Sequence, residues 1–402
     1  MQVVVVGSGA REHALAWRLK LSPGLTELHA APGNPGIAAI GRCHPVRADD
    51  ADGLLSLAQT LEADLVVIGP ESPLVAGVTD VLRRNGVAVF GPSAAAAQIE
   101  GSKAFAKDVL RAAGVPTAET LSVARPPCVV KADGLASGKG VFVCRTAAEL
   151  EAALRAVTAF GGEFVIEELL EGEEASLFAI SDGARVVPLG AAQDFKRIGD
   201  RDVGPNTGGM GAYSPVPWLE GADALVEQVH RPVIDELAHR GMPFVGCLFA
   251  GLMITAEGPK VLEFNARFGD PETQVLMPRL EGDLLELLLA AALGDLAGTT
   301  ASLADEAAVT VVLAGPDYPA RSDYAGAAIT GIDDAEAAGA LVFHGGTAVR
   351  DGTVVTNGGR ILSVTGTGAT VAAARTRAYA AVEQISFEGA QFRRDIAAVA
   401  GG

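Results

Sequence analysis

The sequence predicts a multidomain protein of mixed α/β and α+β class that begins with a parallel α/β unit. Apolar runs typical of buried strands alternate with helical segments over the first hundred residues. Shorter strands, Gly-rich stretches and frequent turns follow. Alternating strands and helices form a parallel sheet with helices on both faces. A chain of 402 residues is long enough for two to four domains.

In the first hundred residues we expect strands at 3–6, 65–68 and 87–90 and helices at about 11–21 and 74–84. The turn Gly7-Ser8-Gly9 follows the first strand and opens a helix, which suits an anion site. Position 12 is Glu rather than Gly, which argues against a dinucleotide fingerprint. A phosphate-binding turn and a merely tight turn are left equally open.

From Ser102 a helix is expected to reach Ala113, and an α+β pattern follows. Its strands are predicted at 128–131, 140–144, 164–167, 185–189 and 246–254, with a helix at about 147–160. The stretch 194–217 has no periodicity, and a loop of that length is usually functional or disordered. After about residue 308, short strands and turns indicate a small C-terminal domain.

Composition excludes several classes of function. The formal net charge of −18 argues against binding to nucleic acid or to anionic membranes, which need basic surface. The four cysteines form no CxxC pair, so neither a disulfide framework nor a zinc knuckle is expected. The chain shows no signal segment and no apolar run of membrane length, so we expect a soluble cytoplasmic protein.

The stretch 261–272 carries the most chemistry. In an extended strand Glu263 and Asn265 share one face, with Arg267 beyond them, and Leu262 and Phe264 point into a core. Hard oxygen ligands on a strand suit Mg²⁺ that carries nucleotide phosphates. Taken alone, Glu-x-Asn more often marks a strand end with solvated polar residues; the other motifs reverse that preference.

A glycine-rich stretch at 131–140 lies between two predicted strands and includes Lys131 and Lys139. Its spacing is not that of a P-loop, but such a flap can close over a triphosphate. The alternative is a flexible hairpin, which two lysines make less favourable. The acidic turn 167–174 alone is typical of a solvated surface, and beside the flap it becomes an adenosine candidate. Lys103 lies at a helix start, where the dipole disfavours a cation, so phosphate contact is an even alternative.

Together these motifs resemble the ATP-grasp superfamily and, within it, the glycinamide ribonucleotide synthetase family. The most specific match is the run Arg267-Phe-Gly-Asp-Pro-Glu-Thr-Gln274. The other matching segments, in chain order, are 7–14, 32–34, 69–74, 101–103, 131–140, 204–213 and 355–360. Matches in the same order over nearly the whole length imply the ATP-grasp fold.

The resemblance implies an enzyme of purine biosynthesis that uses ATP and Mg²⁺ or Mn²⁺. Its small-molecule partners would be ATP, glycine and 5-phosphoribosylamine, and its products glycinamide ribonucleotide, ADP and phosphate. Glycyl phosphate would be the intermediate. The implied domains are 1–101, an ATP-grasp domain at 102–307 with a flap at about 116–180, and a small C-terminal domain at 308–402. We expect a monomer.

The resemblance also implies roles for individual residues. Glu263 and Asn265 would hold the metal, and Arg267 would bind the glycine carboxylate and then the charge that builds during transfer. The residues implied for the nucleotide are Lys103, Lys131, Gly138, Lys139 and Gly140 at the phosphates, Glu167, Glu168, Leu169 and Leu170 at adenine, and Glu174 at the ribose. The residues implied for phosphoribosylamine are Gly9, Arg11, Asn34, Glu71, Asp194, Lys196, Gly208 and Gly209. Asp270 either shapes its turn or contacts substrate.

One position departs from the family pattern. Where the family usually has His, this chain has Phe195, so a catalytic histidine is excluded there and Asp194 and Lys196 must suffice. Two other functions stay open at this point. One is another carboxylate–amine ligase of the superfamily, which its acceptor would distinguish. The other is a noncatalytic nucleotide-binding regulator, which would take up ATP without turnover.

Overall fold

A computed structural model describes residues 1–134 and 140–398. Its strands are β1 (Gln2–Gly7), β2 (Glu27–Pro32), β3 (Arg42–Cys43), β4 (Leu65–Ile68), β5 (Val89–Phe90), β6 (Cys128–Ala132), β7 (Val141–Cys144), β8 (Phe164–Glu168), β9 (Glu173–Asp182), β10 (Val186–Asp194), β11 (Arg197–Gly199), β12 (Val203–Asn206), β13 (Gly211–Ser214), β14 (Val245–Thr255), β15 (Gly258–Asn265), β16 (Ala307–Ala314), β17 (Tyr324–Ala328), β18 (Leu341–His344), β19 (Thr347–Arg350), β20 (Thr353–Gly358) and β21 (Arg360–Gly368). Its α-helices are α1 (Ala10–Leu19), α2 (Pro35–Ile40), α3 (Ala51–Thr60), α4 (Glu71–Val75), α5 (Val78–Arg84), α6 (Ala94–Gly101), α7 (Lys103–Ala112), α8 (Ala147–Ala156), α9 (Ala222–His239), α10 (Thr273–Leu276), α11 (Leu284–Leu293), α12 (Ile332–Ala337) and α13 (Val371–Val382).

The N-terminal unit is the parallel sheet that the sequence predicts. Its strand order is β3-β2-β1-β4-β5, and every pair is parallel. Alternate side chains of β1 enter two different cores, with Val4 and Val6 on one face and Val3 and Val5 on the other. Both faces are therefore covered, as a run of four consecutive valines requires.

The helix predicted at 74–84 is instead two short helices, α4 and α5. Gly77 separates them in the left-handed region at φ 86°. Glycine adopts this conformation without the steric cost that other residues pay, so it ends one helix and permits a change of direction. The sequence pattern of apolar residues runs through both helices, which is why it predicted one.

A long antiparallel sheet forms the centre of the molecule, with strand order β15-β14-β9-β10-β13-β16-β21-β18. Helix α9 covers one face, where its Val233 packs in the same core as Leu177. Helix α11 covers the other, where Leu288 shares a core with Phe178. The pairing of β13 with β16 carries this sheet across the predicted boundary at 307/308.

A smaller sheet of order β7-β6-β8 stands beside the central one. Helix α8 and the 3-10 turn Val157–Phe160 pack on one face, so the helix predicted at 147–160 ends early. The next strand, β9, belongs to the central sheet, so the last part of the predicted flap range 116–180 lies outside this small sheet.

The stretch 194–217, predicted as a loop without regular structure, contains β13 and a hairpin of β11 and β12. Its strands have only three or four residues, and glycines at 199 and 204 interrupt the alternation of side chains. A pattern of period two needs more residues than this to be recognised. The prediction of an aperiodic loop was therefore wrong.

A β-bulge changes the predicted faces of β15. Gly251 of β14 pairs with Glu263 and Leu252 with Val261, so Leu262 has no directly opposite partner. Val261 and Phe264 consequently enter the same core, whereas Leu262 is only half-buried. An extra residue in one strand shifts the alternation beyond it. The prediction that Leu262 shares the core face with Phe264 was wrong.

None of the helices in the described ranges is both long and apolar enough to cross a membrane.

Candidate active site

Arg267 lies at the centre of a buried cluster just after the end of β15. Its guanidinium contacts Glu71 at 3.3 Å and Glu100 at 3.2 Å, and donates to the Oδ1 of Asn265 at 3.1 Å. Nη1 donates to the carbonyl of Phe268 at 3.2 Å. Burial lowers the pKa of Arg267, but Glu100 and Glu71 outweigh that effect and raise it above its ordinary value.

Two further charged groups complete this cluster. Arg11 donates to the carbonyl of Phe268 at 3.1 Å, contacts Glu12 at 2.5 Å and approaches Glu71 at 3.9 Å. Burial raises the pKa of Glu71, but Arg267 and Arg11 more than offset this and lower it to about 2. Arg11 and Glu71 thus help to hold Arg267 in place.

A second, acid-rich cluster surrounds Lys196. Its ammonium lies 2.6 Å from Glu174 and 3.7 Å from Asp194. Burial opposes the charged form of Lys196, yet the nearby carboxylates of Asp194, Glu174 and Glu263 raise its pKa well above the ordinary value. Burial raises the pKa of Asp194, and Glu174 and Glu263 add to that rise. One cation therefore faces three acids here.

Glu272 links the two clusters. Its side chain is almost fully buried and accepts from the hydroxyl of Ser176 at 3.2 Å. Burial and the charge of Asp194 raise its pKa to about 7, while Arg267 and Lys196 oppose the rise. The carboxyl group also fills the space above Gly269, where a Cβ would lie 2.4 Å from the Oε2 of Glu272.

Buried ion pairs and a hydrogen bond connect the small sheet to β15. Glu167 lies between Lys131 at 2.7 Å and Lys107 at 2.9 Å. Lys131 also donates to the carbonyl of Leu262, the bulge residue, at 2.8 Å. Glu167 is therefore a buried counter-ion shared by two lysines instead of a solvent-facing acid. Lys107, on α7, was not predicted, because its helical position looks like that of an ordinary surface lysine.

The glycine-rich stretch is held at its base by Asp133. The Asp133 carboxylate accepts from the backbone N–H of Lys103 at 2.6 Å and from the Ser102 hydroxyl at 3.3 Å. The ammonium of Lys103 donates to the carbonyl of Gly134 at 3.1 Å. Gly140 is described and accepts from the N–H of Ala132, whereas Gly138 and Lys139 lie outside the described residues.

The face of the small sheet opposite α8 is largely apolar. Residues that are directly opposite in its register share this face, which comprises Val129, Lys131, Val141, Val143, Val165 and Glu167. Val143 is 37% exposed although it is a large apolar residue. Val143 and the half-buried Val141 and Val165, unremarkable in the sequence, give this face an apolar surface on which a flat ring could pack.

The residues expected around adenosine differ in burial and in the partners that they already have. Leu170 is buried and Leu169 half-buried at the end of β8. Glu168 accepts from the N–H of Glu119 at 2.9 Å, so one of its oxygens is already paired. Glu174, expected at the ribose, pairs with Lys196 through its Oε2. Its Oε1 is the oxygen that a ribose hydroxyl would use.

A cavity of about 550 Å³ separates the N-terminal unit from the C-terminal strands. Gly9, Asn34 and Asp270 line one side of it. The other side is lined by Gly345, Gly346 and Thr347, which the sequence did not indicate, and by Asn357 and Arg360 of the matching segment 355–360, which had no assigned role. The guanidinium of Arg360 lies 3.2 Å from Asp270. Burial raises the pKa of Asp270, but Arg360 and Arg11 lower it below its ordinary value.

The backbone of the glycine pair at 208–209 also reaches this cavity region. Arg360 donates to the carbonyls of Gly208 and Gly209, and the Tyr318 hydroxyl accepts from the N–H of Gly208 at 2.8 Å. Gly209 has φ 107°, and a Cβ there would lie 2.4 Å from Pro271. Glycine is required at 209 on both counts.

The residues expected around phosphoribosylamine thus fall into three groups. Gly9 and Asn34 line the cavity and Gly208 and Gly209 contact its Arg360. Arg11 and Glu71 belong to the Arg267 cluster, and Asp194 and Lys196 to the acid-rich cluster. Asn34 donates to the carbonyls of Ser8 and His344 and caps α2 through Oδ1, so its side chain joins the two walls of the cavity.

Glu263 and Asn265 follow the bulge and, as alternate residues of β15, share a face. In the described ranges, no group of three or more His, Cys, Asp or Glu side chains could hold a metal. Mg²⁺ is usually held by only one or two protein oxygens, and phosphates and waters fill its other coordination positions. The donor set therefore fits a metal that arrives with a nucleotide.

Family models cover most of the chain. Those described as phosphoribosylglycinamide synthetase N domain, ATP-grasp (A) domain and C domain match residues 1–100, 101–273 and 308–399 respectively. A phosphoribosylamine–glycine ligase of Streptomyces coelicolor is 52% identical over 420 residues, covering 100% of both chains. A protein of that name from Mesorhizobium japonicum is 50% identical, over 98% of this chain and 97% of its own.

Solved structures show the same similarity. The crystal structure of phosphoribosylamine–glycine ligase from Thermotoga maritima superposes with a TM-score of 0.84 at 34% identity, covering 98% of this chain and 100% of that one. A biotin carboxylase–β-γ-ATP complex from Campylobacter jejuni has a TM-score of 0.68 at 15% identity, over 97% and 92% of the two chains. At that identity the second likeness concerns the fold alone.

Proposed function

The chain belongs to the phosphoribosylglycinamide synthetase family, and we propose that it joins glycine to 5-phosphoribosylamine at the expense of ATP. The glycine carboxylate attacks the γ-phosphorus of ATP, which gives glycyl phosphate and ADP. The amine then attacks the acyl carbon, and phosphate leaves with the bond pair while the nitrogen loses a proton. Activation is needed because a free carboxylate has no good leaving group, whereas an acyl phosphate does.

One hydrogen bond supports this assignment more than any other observation. Asn265, proposed for the metal, accepts from Arg267, proposed for glycine, at 3.1 Å. The groups that would hold the nucleotide phosphates and the acceptor carboxylate are therefore direct neighbours. In-line transfer requires this proximity, because catalysis of phosphoryl transfer is mainly positioning and charge stabilisation.

Glu263 and Asn265 would hold the divalent metal, which we propose to be Mg²⁺ or Mn²⁺. When bound, such a metal neutralises phosphate charge. Lys103, Lys131 and Lys139 are proposed to contact the phosphates. Lys131 is pre-positioned for this by Glu167 and by the Leu262 carbonyl.

Arg267 is proposed to bind the glycine carboxylate. Three of its nitrogens already contact acceptors, which fixes the plane of the guanidinium. Nη1 donates one of its two hydrogens to the Phe268 carbonyl at 3.2 Å, and we propose that the other contacts the glycine carboxylate. An arginine held this way keeps its charge at every physiological pH and presents it in a set direction.

The cavity between Asp270 and Arg360 is proposed to take the phosphoribosylamine. Its backbone-rich wall at Gly345 and Gly346 and the Arg360 cation suit a sugar phosphate. Asp194 and Lys196, at the neighbouring cluster, are proposed to lie beside the reacting amine. We also propose the domain division 1–101, 102–307 and 308–402, a monomeric state and a cytoplasmic location.

An ADP-release assay with glycine and freshly made phosphoribosylamine tests the function. We expect ADP only when ATP, a divalent metal and both acceptors are present. Glu263→Gln and Arg267→Ala should each lower the rate at least a hundredfold while the far-ultraviolet circular dichroism is unchanged. Glu257→Gln, in the exposed turn before β15, is the matched control and should keep full activity. Turnover with another amine, or near-normal turnover in both site variants, would contradict the proposal.

A further inference from the structure

The hairpin from Asp194 to Gly211 has two chemically different faces. Asp194 and Lys196 point toward the acid-rich cluster that contains Glu174. Phe195, between them, packs instead with the C-terminal core. Alternate residues of an extended chain necessarily face opposite sides. Whatever contacts the Phe195 face therefore also sets the position of the site face.

Arg393, in the segment after α13, occupies the Phe195 face. Its side chain is only 1% exposed, and its guanidinium stacks 4.9 Å from the Phe195 ring. It donates to Asp202 at 2.7 Å, to the carbonyl of Arg197 at 3.1 Å and to Asp395 at 2.8 and 2.7 Å. Phe195, at the position where the family usually has His, therefore provides the ring on which Arg393 stacks.

Backbone hydrogen bonds add to the contact at the tip of the hairpin. The N–H of Arg201 donates to Asp395 at 2.7 Å, and the N–H of Arg394 donates to Asp200 at 2.7 Å. The segment itself is fixed to α13, because the Tyr379 hydroxyl donates to the carbonyl of Arg393 at 2.8 Å. The hairpin tip is therefore tied to a helix that is remote in sequence.

We propose that Arg393 is a positioning residue that sets the hairpin for binding of the amine acceptor. The inference rests on the proposed function, since that supplies the acceptor. The hairpin carries Lys196 on its outgoing strand and the Gly208–Gly209 pair, held by Arg360, on its return. Release of the tip would let both ends move. Lys196 also pairs with Glu174, which is expected at the ribose, so a smaller effect on ATP binding should accompany the effect on the amine acceptor.

The test compares Arg393→Lys with Arg394→Ala. Lysine keeps the charge of Arg393 but cannot make its paired contacts with Asp395 and Asp202. Arg394 is the next residue, and its exposed side chain stacks on Phe392. We expect Arg393→Lys to raise KM for phosphoribosylamine at least fivefold, with kcat and KM for glycine within twofold and a smaller rise in KM for ATP. Arg394→Ala should leave kcat and all three KM values unchanged.

Equal changes in all three KM values, or an unchanged KM for phosphoribosylamine in folded Arg393→Lys, would overturn the proposal. Asp202→Asn is a second variant that keeps it testable if Arg393→Lys does not fold, because the Asp202 side chain is 67% exposed. It should raise the same KM at least twofold. No change in that KM would count against the proposal.

Amide hydrogen exchange separates this inference from the proposed function. If the wild-type protein makes no ADP with these substrates, the proposed function fails. The N–H groups of Arg201 and Arg394 should still exchange at least tenfold faster in Arg393→Lys than in the wild type. Unchanged protection of both would show that Arg393 does not hold the hairpin.

Discussion

Glu167 and its two lysines show how single residues shape this site. Sequence reasoning placed Glu167 at adenine and Lys131 at phosphate, as if each acted alone. The structure pairs them at 2.7 Å and adds Lys107 at 2.9 Å. A buried carboxylate is tolerated only when it is paired. Glu167 therefore acts as a counter-ion of two lysines, in addition to its proposed place beside the nucleotide.

Replacing Lys107 with Met should lower the free energy of unfolding by about 2 kcal/mol, because the buried Glu167 carboxylate and the Ala118 carbonyl lose a charged hydrogen-bond donor. Lys107 also donates to Thr117 at 2.9 Å, and that bond would be lost. Urea unfolding followed by fluorescence measures the change. Lys103→Met, in the half-buried first turn of the same helix, should cost less than about 1 kcal/mol. Equal effects of the two substitutions would refute a special role for Lys107.

Glu272 should make stability depend on pH near neutrality. Its pKa is raised to about 7, so the folded state holds this proton more tightly than the unfolded state does. Stability from this group is therefore full at acidic pH and is lost as pH rises from about 4.5 to 7, by about 3 kcal/mol. The unfolding free energy of Glu272→Gln, measured at several pH values, should lack this decline. The exposed Glu286→Gln should retain it; identical pH profiles for wild type and Glu272→Gln would contradict the assignment.

At the scale of elements, two short irregularities position the chemistry. The carbonyl of the bulge residue Leu262 accepts from Lys131, and the bulge places Val261 rather than Leu262 in the core with Phe264. The turn at 208–209 follows the second strand of the hairpin, and its carbonyls accept hydrogen bonds from Arg360. Neither is visible as a break in hydrophobic periodicity, since each involves only one or two residues.

Gly209→Ala should destabilise the protein by about 3 kcal/mol or more, since it combines a left-handed backbone with a 2.4 Å approach to Pro271. Gly241→Ala is the matched control, because its φ is 75° but no atom lies within 4 Å of the added Cβ. It should cost about 1 kcal/mol. Both values come from urea unfolding. A Gly209→Ala cost no larger than that of Gly241→Ala would show that the turn can adjust.

At the scale of the whole molecule, the central sheet joins regions that the sequence treats as separate domains. Strand β16 pairs with β13 on one side and with β21 on the other. The cavity lined by Gly9 and Arg360 has walls from both ends of the chain, and Asn34 joins them by donating to the carbonyls of Ser8 and His344. The site proposed for the acceptor therefore requires the complete fold.

The protein should be a monomer at neutral pH. Its net charge of −18 opposes association of like molecules. Multi-angle light scattering after size exclusion should give about 40.9 kDa. The same mass is expected in 0.5 M salt, which screens the repulsion. A species of twice this mass in either buffer would contradict the prediction.

Sequence alone determined the parallel N-terminal sheet, the family resemblance and the types of residue at the proposed metal and phosphate positions. These follow from local periodicity and from motifs a few residues long. Tertiary structure decided which charges meet. Arg11 contacts Phe268 across 257 positions, and Arg393 contacts Asp202 across 191. A local sequence pattern shows that a charged side chain is present. Its partner depends on where the fold brings a second charge, and burial then makes the pairing obligatory.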